Sequence, residues 1–171
     1  MSVEGARELE ENLHKLAQIS MKKQVGEAIA YVRSAAVRRC PVNDGELRQS
    51  IFVSVKDEGD VARGICFTNK DYAPYVEFGT GPKGQAQHTG IYPDANPVYT
   101  QSPWWIHESQ VDKETAEKYG WFFIDTPQGR FYQCTGQPAQ PFMYPALKDS
   151  EDKILKNMKI SFEIELKEKI K

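Results

Sequence analysis

Cysteine and histidine are scarce in this chain, with three of each in 171 residues. Cys40, Cys66 and Cys134 are widely spaced and form no CxxC pair, so they read as small buried side chains in a reducing compartment. His14, His88 and His107 show no metal-ligand spacing. His88, His107 and Cys134 would have to meet in space to hold an ion. No apolar run approaches the roughly 18 residues that a transmembrane helix needs. The opening residues Met1-Ser-Val-Glu-Gly-Ala-Arg7 lack the apolar core of a signal peptide. The expectation is a soluble protein made in a cytoplasm. A basic excess is also missing: 22 Lys and Arg stand against 24 Asp and Glu, a net charge of -2, so no general affinity for nucleic acid is expected. Arg33, Arg38, Arg39 and Arg48 fall close together in sequence, a grouping that reads as a solvated helix face.

Signatures of catalysis are absent as well. There is no G-x-x-x-x-G-K and no G-x-G-x-x-G. Gly79-Thr-Gly81 is followed by Pro82, which removes an amide where a phosphate loop needs one. No Ser/His/Asp or Cys/His pairing sits on identifiable turns. The chain is therefore read as a non-enzyme without cofactors. A hydrolase hidden in residues 82–137 would have to reveal itself as a pocket with perturbed titratable groups.

What is present is a globular composition, 40% hydrophobic and 27% charged, which rules out disorder driven by low hydrophobicity. The length suits one domain, 1–171, with 82–137 as an insertion. From Val3 to Arg39 the apolar spacing is helical, through Leu9, Leu13 and Leu16 and then Val25, Ile29, Val32 and Ala36. The two stripes differ in phase, which predicts a bend or a break near 20–24. Pro41 stops the helix. Asn43-Asp44 reads as an N-cap, with Gly45 in the first turn of a short helix. Ile51–Val55 and Val61–Phe67 read as an antiparallel hairpin turning at Asp57-Glu-Gly-Asp60.

The next stretch, Tyr72-Ala-Pro-Tyr-Val-Glu-Phe-Gly-Thr-Gly-Pro82, sets one carboxylate, Glu77, among aromatic and apolar side chains. A buried carboxylate needs a partner. The candidates are an arginine of this chain, first among them Arg33, Arg38, Arg39 and Arg48, or one on a neighbouring subunit. Residues 83–101 lack periodicity and are rich in Gly and Pro, so they are expected to form a mobile loop. Trp104-Trp-Ile106 and Trp121-Phe-Phe-Ile124 are apolar runs, and the latter forms a hairpin with Phe131-Tyr132 around Asp125-Thr-Pro-Gln-Gly129. Residues 112–118 suit one or two helical turns. The tryptophans either bury this hairpin on the main sheet or, as flat rings, form a binding surface for a partner protein or a carbohydrate. Pro138-Ala-Gln-Pro-Phe-Met-Tyr-Pro145 is an extended lead-in anchored by Phe142. Beyond it the chain turns helical to Ile170. Residues 158–166 also alternate like a strand, but their dense Lys and Glu content favours helix.

Three segments in order resemble a known family. Cys40-Pro-Val-Asn-Asp-Gly-Glu-Leu-Arg-Gln-Ser-Ile51, the Tyr72–Pro82 stretch and Pro138-Ala-Gln-Pro-Phe-Met-Tyr-Pro-Ala-Leu147 are similar to the minor tail component family of lambdoid and other long-tailed phages. The resemblance covers about 30–81 and 138 to the C-terminus; Asn43 and Asp44 stand where Asp and Thr are usual. It implies a structural protein of a phage or prophage particle, acting at the neck or tail top in tail completion and head–tail joining. Its partners would be further copies of itself in a ring and neighbouring neck or tail proteins, with no membrane. The matching positions are Pro41, Gly45, Leu47, Arg48 and Ser50, then Tyr72, Tyr75, Val76, Glu77, Gly79 and Thr80, and finally Pro138, Pro141, Phe142, Pro145 and Leu147. The expected fold is α+β, a long N-terminal helix and a C-terminal helix packed on an antiparallel sheet, with Leu47, Tyr75 and Phe142 meeting in one core. The alternative is a binding module whose insertion, through Trp104, Trp105 and Trp121, recognises a partner protein or carbohydrate.

Overall fold

A computed structural model of the chain describes residues 3–17, 21–58, 61–111 and 113–170. In chain order the elements are α1 (Val3–Ala17), α2 (Lys22–Arg39), α3 (Glu46–Gln49), β1 (Ile51–Asp57) and β2 (Ala62–Thr68). There follow α4 (Ala73–Phe78), α5 (Gly81–Ala86), β3 (Trp104–His107), α6 (Lys113–Lys118), β4 (Phe122–Thr126) and β5 (Gly129–Cys134), then α7 (Tyr144–Lys148) and α8 (Glu151–Ile170). The fold is α+β, as expected, and divides into two compact units: residues 1–69 with 145–171, and residues 70–144.

In the first unit α1 and α2 are separate helices. Of the stretch 20–24 where the phase slips, residue 20 lies outside those described and residues 22–24 are already in α2. The expected hairpin forms, with β1 and β2 antiparallel from Ile51↔Thr68 to Asp57↔Ala62. Helix α2 packs on both strands and on α8, and α1 also packs on α8. Ile29, Val32, Ala35 and Ala36 of α2 are buried, together with Cys40, Leu47, Ile51 and Ala146. Gln24 is buried on α2, and its side-chain amide donates to Glu165 Oε2 of α8 at 2.6 Å. The C-terminal run is helical through residues 158–166, so its strand-like alternation does not prevail. A break at Asp149-Ser150 divides it into α7 and α8.

The turn after α2 differs from the sequence reading in one respect. Gly45 is not inside the first turn of α3; it is the N-cap, at φ 87°, a left-handed conformation that glycine adopts without a Cβ penalty. The capping bond comes from one residue earlier, where the Asp44 carboxylate accepts from the Glu46 amide at 3.0 Å. Three of the four grouped arginines are spent within the first unit. Arg48 Nη2 donates to the Cys40 carbonyl at 2.8 Å, just past the end of α2. Arg33 Nε donates to the Ile51 carbonyl at 2.6 Å, and Arg39 pairs with Asp149 at 2.7 Å.

The second unit carries its own sheet, in the order β3-β5-β4, all antiparallel. The expected hairpin of the insertion forms from β4 and β5, and β3 joins it to make a second sheet, distinct from that of β1 and β2. Alternation along these strands places Trp104, Ile106, Tyr132 and Cys134 on one face and Trp105, His107, Phe131 and Phe122 on the other. Tyr132 and Cys134 are buried, whereas Trp105 and Phe122 are exposed and meet edge to face at 6.1 Å. The tryptophans thus divide between the two faces.

The expected loop after Pro82 begins as a helix. Gly81–Ala86 forms α5, with Pro82 in its first turn, a position where a missing amide costs no bond. Farther along, Tyr99 donates its hydroxyl to the Phe78 carbonyl at 2.8 Å, and burial pushes its ionisation up. His88 stacks on the same ring at 6.1 Å. These anchors hold a segment that the sequence presents as unanchored.

The β4–β5 turn is closed by a two-pronged ion pair. Arg130 Nε and Nη2 meet Asp125 Oδ1 and Oδ2 at 2.7 and 3.0 Å, while the guanidinium lies 4.0 Å over the Phe123 ring. The hydrogen bonds from Arg130 hold the Asp125 carboxyl below its usual range. A carboxyl depressed in the folded state contributes stability that is full above the unfolded carboxyl value, about 3.9, and is lost as pH falls through the folded value. Acid titration followed by amide exchange of residues 122–134 should therefore loosen this hairpin only below pH about 4. Asp125→Asn should flatten that dependence, and an unchanged acid limb in the variant would show that other groups set it.

Candidate functional site

Helix α4 follows from Tyr72-Ala-Pro-Tyr: Pro74 lies in the first turn, and the helix ends at Gly79. At about 100° per residue, positions 73 and 77 share one face and position 75 points away from it. Ala73 and Glu77 are accordingly buried, with 7% of Glu77 exposed, whereas Tyr75 is 59% exposed. Tyr75 is therefore not the core anchor that its apolar neighbours suggested. Phe142 is that anchor, with no exposed surface; Leu47 is also buried, but belongs to the first unit.

The partner of Glu77 is main chain and not an arginine. Its Oε2 accepts from the amides of Phe142 and Met143 at 2.7 and 2.9 Å, and Oε1 accepts from Tyr144 at 3.0 Å. These amides lead into the first turn of α7, where N–H groups have no partner within the helix. A carboxylate suits that place twice over, as acceptor and as negative charge at a helix start. The sequence did hold the signal. Pro141 and Pro145 bracket three consecutive amides at a helix start, a set of donors that demands an acceptor.

The rest of the second motif is laced to the residues around 137 by backbone. Thr80 and Gln137 form an antiparallel bridge, with N–O distances of 2.9 and 3.1 Å, and Thr80 Oγ1 also accepts from the Gln137 amide at 3.1 Å. Gln140 N donates to Val76 O at 2.8 Å, and Ala139 N donates to Gln87 O at 3.0 Å. The Gln137 side chain donates to the Tyr75 carbonyl at 2.8 Å. So close a crossing needs glycine. A Cβ on Gly79 would stand 2.6 Å from Ala139 N, and one on Gly136 would run into the Thr80 carbonyl.

Of the residues singled out from sequence, Tyr75, Val76, Glu77, Gly79 and Thr80 are thus joined to the stretch that holds Pro138, Pro141 and Phe142, and Tyr72 shares a groove wall with Pro138. Pro145 sits in the first turn of α7, and Leu147 is exposed on that helix. Pro41, Gly45, Leu47, Arg48 and Ser50 form a separate knot in the first unit, where Ser50 Oγ bonds the Leu47 carbonyl at 2.8 Å and the Thr68 hydroxyl at 2.6 Å.

Two cavities flank Tyr75. One, of about 500 Å³, is lined by Pro74, Phe78, Pro97, Tyr99 and Trp104. The other, of about 520 Å³, is lined by Tyr72, Lys83, Tyr119, Trp121, Gln137 and Gln140. Tyr75 and Thr80 line both. Sequence reasoning missed these grooves, because their walls come from segments distant in sequence, such as Tyr75 with Trp104 in one and with Trp121 in the other. Among the described residues, no group of three or more His, Cys, Asp or Glu is placed to hold a metal ion, and no helix is long and apolar enough to cross a membrane.

A carboxylate spent on main-chain amides and a backbone bridge closed by glycines make a structural joint. The comparison with protein families agrees. Residues 6–79 match the family described as "Bacteriophage HK97-gp10, putative tail-component". The matched stretch holds the first motif and the second up to Gly79, begins earlier than the resemblance did, and stops short of the third. The third is tied in by geometry, through the bonds to Glu77 and Thr80. At this level the chain is similar to a structural component of phage tails, and the virion is where such a component resides. No curated protein and no solved structure matches the chain.

Proposed function

We propose that this protein acts at the neck or tail top of a phage or prophage particle, in tail completion and head–tail joining. It does so by assembling into a ring with copies of itself and by contacting neighbouring neck or tail proteins. It is made in the bacterial host cytoplasm and acts without catalysis or cofactor. The observation that carries this reading is the family match over residues 6–79. Support comes from apolar side chains that the chain leaves uncovered. Phe52 and Phe67 face each other across the hairpin at 6.0 Å and are both exposed, as are Leu9 and Leu13 on α1 and Ile160 and Ile164 on α8. Adjoining exposed apolar side chains such as Phe52 and Phe67 suit a contact surface.

Electron microscopy of the purified protein, alone and mixed with the other tail and neck proteins of its particle, tests the reading. Closed rings are expected. Phe52→Glu should abolish them while leaving the melting temperature within about 2 °C, since surface substitutions shift stability little. A protein that stays monomeric with every partner and at high concentration would refute ring assembly.

A further inference from the structure

We propose that the two grooves beside Tyr75 form one binding site for an extended, proline-containing peptide segment of a partner protein that carries an acidic residue. The argument starts from shape. Two aromatic cavities of about 500 and 520 Å³ lie side by side with an exposed tyrosine as the wall between them. An extended polyproline-type chain has three residues per turn and carries no internal hydrogen bonds, so it presents successive rings to successive pockets across an aromatic ridge. Both cavities are walled by aromatic rings and by prolines, Pro74 and Pro97 in one and Pro138 in the other.

Charge then narrows the ligand. Neither cavity is lined by Asp or Glu, and the second is lined by Lys83. Lys83 is exposed, and its ammonium has no hydrogen-bond or ion-pair partner among the described residues. A lone cation at the edge of an apolar groove selects a segment with a carboxylate. This site does not rest on ring assembly, and rings would form whether or not it is filled.

The full-length protein can be titrated with a short synthetic peptide of repeating Pro-Pro-Glu, following tryptophan fluorescence, since Trp104 and Trp121 each line one cavity. A saturable change is expected. Tyr75→Ala should weaken binding at least about tenfold, a loss of 1.4 kcal/mol. Lys83→Glu, an exchange of an exposed side chain, should reverse the preference, so that repeating Pro-Pro-Lys binds and Pro-Pro-Glu does not. Circular dichroism confirms that each variant is folded. The proposal is overturned if the acidic peptide does not bind at millimolar concentration, or if Lys83→Glu leaves the preference unchanged. A soluble oligosaccharide that produces the fluorescence change where the peptide fails overturns it too, and assigns the grooves to sugar.

Discussion

Replacing Glu77 by alanine is expected to destabilise the protein by about 3–5 kcal/mol, because it leaves three amides at the start of α7 without an acceptor and each buried orphan costs about 1–3. The three bonds, at 2.7, 2.9 and 3.0 Å, are all from main-chain amides, which cannot turn away to find another acceptor. Glu77→Gln is the more discriminating change. A glutamine oxygen in the place of Oε2 keeps the Phe142 and Met143 amides, but its NH₂ then faces the Tyr144 N–H, donor against donor. The expected loss is smaller, about 2 kcal/mol. Urea unfolding of both variants gives the order. A double-mutant cycle with Arg48→Met should be additive to within about 0.5 kcal/mol, since Arg48 spends its guanidinium on Cys40 and does not answer Glu77. Coupling well above that would restore the arginine as partner, and an unchanged Glu77→Ala would remove the carboxylate from the joint altogether.

The difference between an arginine and three amides shows where sequence reasoning ended. Burial of Glu77 was legible from Tyr75, Val76 and Phe78 around it, and a buried carboxylate demands a partner. Side-chain charges are visible in a sequence, so arginines came forward as candidates. Main-chain donors are the same at every residue and become visible only when a helix start is located, and Pro141 and Pro145 locate this one. Tyr75 was misplaced for a related reason. Apolar character suggested an anchor, yet once Glu77 lies inward on a helix the residue two positions before it must lie outward.

Periodic elements were legible because their pattern is local. The helical spacing of α2 and α8, the alternation of the β1–β2 hairpin and the paired apolar runs of the β4–β5 hairpin each survive in the structure. How strands are shared between sheets is not local. β3 joins β5 through Trp104↔Cys134 and Ile106↔Tyr132, pairs about thirty residues apart, and nothing in either run names the other. Helix α5 was hidden by composition: Gly81-Pro82-Lys-Gly84 reads as a breaker sequence, but at a helix start the proline is tolerated and both glycines are buried. The anchors of the following segment, Tyr99 on Phe78 and His88 on Tyr99, are single side chains with no spacing rule to expose them.

The crossing of the second motif over residues 136–140 makes a further demand, and Gly136→Ala is expected to be among the most damaging single changes in the chain. Gly136 has φ 84°, and a Cβ there would collide with the Thr80 carbonyl, which accepts the Gln137 amide in the bridge. Left-handed strain costs about 1–3 kcal/mol and overpacking a further 1–3, so the sum is about 2–6. Gly79→Ala should fall in the same range, since φ 74° with ψ 178° is a region held almost only by glycine and the added carbon meets the Ala139 nitrogen. Gly120 supplies the calibration. It too has positive φ, 60°, but a Cβ there meets nothing within 4 Å, so Gly120→Ala should show backbone strain alone, about 1 kcal/mol. The excess of Gly136→Ala over Gly120→Ala in urea unfolding then measures the closeness of the crossing. In the same samples the amides of Thr80 and Gln137 should lose their protection from hydrogen exchange. Equal losses for Gly136→Ala and Gly120→Ala, with Thr80 still protected, would mean that the two segments do not cross this closely, and the joint around Glu77 would have to be held by its carboxylate alone.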